Sequence, residues 1–143
     1  MVSTVPDIAT VQRSFTRCMK RAAFFDRFYE LFMNSHEAIR AKFMHTDMAK
    51  QKHLLRHGLS VALMYAEPTR ANTIIRNGVE RLKTSHRLGG LSIEPWMYDK
   101  WLDALILAVK ETDPEFSPAL DTLWRKAMMP TIEAMRSGYH ARL

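Results

Sequence analysis

The chain has 143 residues, 47% of them apolar and 25% charged, which is enough for one domain with a real core and ordinary for a soluble globular protein. No apolar run is long enough to span a membrane, and the start Met-Val-Ser-Thr-Val-Pro-Asp has neither the basic nor the apolar region of a secretory signal. The single cysteine, Cys18, excludes an internal disulfide and suits a reducing compartment, so a cytoplasmic location is expected. The net charge of +6 raises a nucleic-acid or membrane-surface reading. Most of the Lys and Arg are scattered, however. The local cluster Arg13, Arg17, Lys20 and Arg21 has no interleaved aromatic residues, so a solvated face is expected rather than a base-stacking surface.

Helical stripes follow one another along the chain, and strand signals are nearly missing. After Pro6, which suits a first helical turn, Ile8, Val11, Phe15, Met19 and Ala22 recur at helical spacing. Phe25, Phe28, Tyr29 and Phe32 give a second, aromatic face that Asn34-Ser35 breaks, and a short helix then carries Ile39 and Phe43. Asp47 is a suitable N-cap for a longer helix running to Ala66 and stopped by Pro68. The next helix spans 72–87 and ends at Gly89-Gly90, where a left-handed cap is easily adopted. Pro95 opens a segment bearing Tyr98, Leu102, Leu105, Ile106 and Val109. Ser117-Pro118 is a cap and first-turn pair for the last helix, which carries Leu120, Trp124, Ala127, Thr131 and Met135 on one side and Pro130 in its interior. Without repeats or a linker, the pattern predicts a single all-α domain over 1–143 with about seven helices.

Catalytic signatures are missing: there is no phosphate-binding glycine loop, no cysteine cluster and no nucleophile elbow. His53 and His57 share a helix face but lack a metalloprotease glutamate and a third ligand, so a solvated polar face is the expectation. More informative is a dispersed set. Tyr29 lies on the aromatic face and Phe43 closes the short helix. Gln51 and Leu55 fall one turn apart on the long helix, and His86 stands at a helix end four residues after Leu82.

These residues, in "FFDRFYELF", "IRAKFMHTDM", "QKHLL" and "LKTSHRLGGLSIEPWMY", with Trp124 in "LWRKAMMP", resemble the globin family. The likeness is to bacterial single-domain haemoglobins and the globin domains of flavohaemoglobins, over roughly 7–140. The resemblance implies a globin fold holding a haem b, with His86 as the proximal iron ligand and Phe43 stacked on the ring. Leu55 and Leu82 would line its two faces, and Tyr29 and Gln51 would donate hydrogen bonds to a bound gas. His57-Gly58 offers a competing distal register, since it mimics the His-Gly pair of vertebrate globins. His57 is turned by roughly 200° from Leu55, so both cannot face the haem, and the Gln51 register is preferred.

Flavohaemoglobins place a Tyr–Glu pair behind the proximal histidine. Tyr98 matches the tyrosine, but no glutamate is evident at the matching place: Glu133 lies earlier and Tyr139 falls near it. Weakened peroxidase-like activation is therefore expected. The implied function is reversible binding of O2, NO and CO, with conversion of nitric oxide to nitrate when an external reductase supplies the electron. Two alternatives stand beside it: a ligand-responsive signalling globin that acts through the basic cluster, and a globin fold without haem that binds other proteins.

Overall fold

The computed structural model describes residues 4–67, 73–86 and 93–139. Among them the chain forms seven α-helices: α1 Thr4–Met19, α2 Ala23–Asn34, α3 Glu37–Lys42, α4 Met48–Ala66, α5 Thr73–His86, α6 Met97–Thr112 and α7 Pro118–Ser137. No strand occurs among the described residues, and no described helix is long and apolar enough to cross a membrane.

Side-chain caps set several helix starts. The Asp47 carboxylate accepts from Lys50 N at 3.2 Å, and Ser117 Oγ accepts from Leu120 N at 3.1 Å, so both expected N-caps occur. The cap of α3 is less usual: Nδ1 of His36 accepts from Ala38 N at 3.0 Å. Phe43 stands just past α3, as its C-cap, rather than inside it. Gly89 and Gly90 lie outside the described residues.

The two main helix interfaces are α2 on α6 and α4 on α7; α1 packs on α7 and α6, and α5 packs on α4 and α7. Between them lies one apolar core that includes Phe24, Phe28, Leu59, Leu105, Trp124 and Ile132. Aromatic edges key two interfaces: Phe28 of α2 meets Trp101 of α6 at 5.8 Å, and Phe15 of α1 meets Trp124 of α7 at 6.3 Å, both edge-on.

A polar knot ties the ends of the molecule through this core. Asp113, whose side chain is fully buried, receives Arg17 Nε at 2.7 Å and Ser14 Oγ at 2.6 Å, and Trp124 Nε1 donates to Ser14 Oγ at 3.0 Å. The basic cluster, with Arg13 and Arg17 on α1 and Lys20 and Arg21 just past its end, is therefore not a wholly solvated face. Arg13, Lys20 and Arg21 are exposed, but Arg17 is turned inward to neutralise Asp113. A lone buried carboxylate would be too costly, which is why the arginine leaves the surface.

Candidate functional site

A chain of contacts joins α2, α3, α4 and α5 on one side of the molecule. The Tyr29 ring, 4% exposed, lies edge-on to Phe43 with centroids 5.6 Å apart. The Tyr29 hydroxyl donates to the backbone carbonyl of Gln51 at 3.3 Å. From Gln51 the same face of α4 continues through Leu55, which is buried, to Gly58. A Cβ built on Gly58 would lie 3.8 Å from Leu82 Cδ2, so this face of α4 looks at α5. Leu82 in turn holds His86: the ring Nδ1 is 2.7 Å from the Leu82 carbonyl.

That last contact fixes the imidazole's chemistry. A carbonyl oxygen has no proton to give, so Nδ1 carries the hydrogen and Nε2 keeps a free lone pair. Burial pushes the His86 pKa below its ordinary value, against the smaller opposing effect of the Leu82 carbonyl, and so favours the neutral ring. Ser85 Oγ lies 3.0 Å from both Nδ1 and the Leu82 carbonyl, which further limits rotation of the ring. Tyr29 is likewise held in one state. Burial raises its pKa to about 12, so the phenol keeps its proton and remains a donor.

No protein-family model and no curated protein matches the chain. The crystal structure of a protein from Pseudomonas aeruginosa PAO1, described as structurally highly homologous to a human hemoglobin, does match. The two are 40% identical with a TM-score of 0.86, over 93% of this chain and 98% of that one. The chain belongs to the globin family.

Within this globin, Tyr29, Phe43, Gln51, Leu55, Leu82 and His86 all belong to the one contiguous region described above. Tyr98 is not joined to it by a hydrogen bond among the described residues. It is buried at the start of α6, where burial raises its pKa and the nearby Arg136 opposes the rise. His53 and His57 are exposed. His57 lies one residue from Gly58, hence about 100° around α4, whereas Gln51, seven residues earlier, falls within about 20° of it.

Sequence reasoning missed Ser85 and Leu54. Leu54 shares the face of Gly58 and Gln51 and is 54% exposed, one of several large apolar side chains on the surface, with Ile74 and Leu107. Ser85 had a readable signal, since a serine in a last helical turn commonly bonds back to a carbonyl of the preceding turn. Nothing in the local pattern marked Leu54.

Proposed function

We propose that this globin holds a haem b through His86 and binds O2 reversibly, with NO and CO as further ligands. The observation that carries the reading is the 2.7 Å contact between His86 Nδ1 and the Leu82 carbonyl. It sets the tautomer that a metal-ligating histidine needs and orients the ring by a bond to its other nitrogen, the usual arrangement behind such a ligand. The surrounding residue types fit a porphyrin: apolar Leu55, Leu82 and Phe43, exposed Leu54, and a histidine that burial keeps neutral.

A haem would supply the ferrous iron at which a diatomic gas binds and leaves. The protein's part is binding, orientation and polarity. His86 would hold the group from the α5 side, while Phe43 and Leu82 would pack against it. Tyr29 would present its O–H from the α2 side, supported by the Gln51 side chain. The Tyr29–Gln51 bond is long at 3.3 Å, so re-aiming the hydroxyl at a ligand would lose little. Gln51 is assigned this role over His57 because it shares the face that looks at α5. Tyr98 would lie behind the proximal side. With the charge of Arg136 acting on it and no glutamate evident at the matching place, it would leave the His86 bond more neutral than a Tyr–Glu pair does.

Absorption spectra of haem-supplemented protein test the reading. A Soret band that shifts on reduction and again with carbon monoxide is expected; no Soret band at all would end it. Conversion of nitric oxide to nitrate, with an external reductase supplying the electron, has its own readout in nitrate yield. A yield at the protein-free level would remove that activity and leave reversible binding standing.

A further inference from the structure

Cations occur along the whole chain, but the carboxylates that would balance them avoid two neighbouring helices. α4 carries Lys50, Lys52 and Arg56 and no carboxylate, and α5 carries Arg76, Arg81 and Lys83 against Glu80 alone. Five of the chain's six net positive charges therefore sit on this pair. Lys52 is paired with Asp26 and Lys83 with Glu80. Lys50, Arg56, Arg76 and Arg81 are exposed and have no ionic partner among the described residues. Because α4 and α5 pack on each other and both pack on α7, their remaining sides form one outward layer. On α4, Lys50 points roughly opposite to the buried Leu55 and Leu59. On α5, Ile74 and Arg81 fall within about 20° of each other and turn away from the buried Val79. Ile74 is 78% exposed, more than any other large apolar side chain among the described residues.

We propose that this outward layer binds an anionic lipid surface, with headgroup phosphates on the four unpaired cations and Ile74 entering the acyl boundary. The inference goes beyond the gas-binding reading and does not depend on it. A lipid surface of one sign attracts a protein face of the other, and each Lys or Arg held near it strengthens binding several-fold. An aliphatic side chain among cations is the pattern of a helix lying at headgroup level, and long basic side chains reach phosphates while their stems cover apolar surface. A protein partner is gripped instead through buried aromatic anchors inside a polar rim. α5 carries no aromatic residue and α4 only the half-buried Tyr65, which also disfavours stacking on single-stranded nucleic acid. The two propionates of a haem held by His86 would still leave the layer positive.

Co-sedimentation with lipid vesicles tests this. The haem-supplemented chain should sediment with vesicles of phosphatidylglycerol and phosphatidylcholine in ~50 mM salt and be released in ~0.5 M salt. Vesicles of phosphatidylcholine alone should leave it in solution. Lys50→Glu combined with Arg81→Glu should weaken partition by about tenfold or more, and Ile74→Ser by about threefold. Arg13→Glu combined with Lys20→Glu makes the same change of net charge at the exposed α1 cluster and should weaken it far less. No sedimentation with the anionic vesicles would overturn the proposal. Equal losses in the two double variants would also overturn it, because net charge alone would then suffice. Retention on immobilised polyglutamate without vesicle binding would overturn it in favour of an acidic protein surface. A missing carbon monoxide-sensitive Soret band is a different failure: it would sink the gas-binding reading and leave the vesicle result standing.

Discussion

At the scale of single residues, the proposed function assigns attachment of the haem to His86 and retention of its ligand to Tyr29. His86→Ala removes the proposed iron ligand, and the expected result is loss of tight haem binding, read as rapid transfer of haem to a competing apoprotein. Ser85→Ala should keep the haem but loosen the ring, because the Leu82 carbonyl then holds Nδ1 alone. On the proposed reading, Tyr29→Phe would delete a hydrogen-bond donor to a ligand that gains partial negative charge. A hydrogen bond to a charged group is worth about 1.5–3 kcal/mol. The oxygen dissociation rate should therefore rise roughly ten- to a hundredfold, measured by stopped-flow displacement with carbon monoxide. An unchanged rate would transfer the role to Gln51 or another residue. Because burial holds the Tyr29 pKa at about 12, the wild-type rate should show no step from phenol ionisation between neutral pH and pH 10. The family resemblance singled these residues out; taken one at a time, the tyrosine reads as core and the histidine as a cation at a helix C-terminus. Ser85 and Leu54 were not singled out, since their significance comes from what faces them across a helix pair.

At the scale of helices, the two glycines that line the α4–α5 contact make a controlled comparison. Both sit inside helices, where glycine costs roughly 1 kcal/mol relative to alanine. At Gly58 an added methyl would reach Leu82 at 3.8 Å, an ordinary contact; at Gly78 it would press Val61 Cγ1 at 3.2 Å. Urea unfolding of the haem-free protein should show Gly58→Ala stabilised by about 0.5–1 kcal/mol. Gly78→Ala should gain less or lose stability, because a branched side chain packed between two helices has little room to give. Equal gains would mean that α5 sits more loosely on α4 than the contact implies. Helix boundaries were readable where a cap residue announces them, as at Asp47 and Ser117. The α3 boundary was readable only from the Asn34-Ser35 break. Its cap is a histidine, a residue type with no strong preference for that position, and Phe43 falls just outside the helix that was expected to contain it.

At the scale of the whole molecule, stability is tied to a carboxylate that local pattern could not reveal. Arg17 and Asp113 are 96 residues apart, and nothing in the stripe of α1 separates an inward arginine from its solvated neighbours. The pair joins α1 to the turn between α6 and α7, and Ser14 extends it to Trp124. Burial alone would raise the Asp113 pKa, but bonds from Arg17, Ser14 and the Glu115 amide outweigh it and hold the group below its ordinary value. A carboxylate depressed in the folded state contributes stability that is fully present above its unfolded pKa, near 4, and lost as pH falls through the folded value. Asp113→Asn should therefore cost about 3 kcal/mol at neutral pH, because Arg17 is left half-buried without its counter-charge. The gap from wild type should narrow below pH ~4, where the unfolded carboxylate takes up a proton before the folded one does. Arg17→Ala probes the same knot from the other side. Without the guanidinium, desolvation is opposed only by Ser14 and the amide, so the folded Asp113 pKa must rise. The acid limb contributed by Asp113 should then shrink, so that stability falls less between pH ~4 and pH ~3 than in wild type, as read by denaturant midpoints. An acid limb in Arg17→Ala that coincides with wild type would show that Ser14 and the Glu115 amide hold the charge by themselves, and that Arg17 adds packing rather than neutralisation.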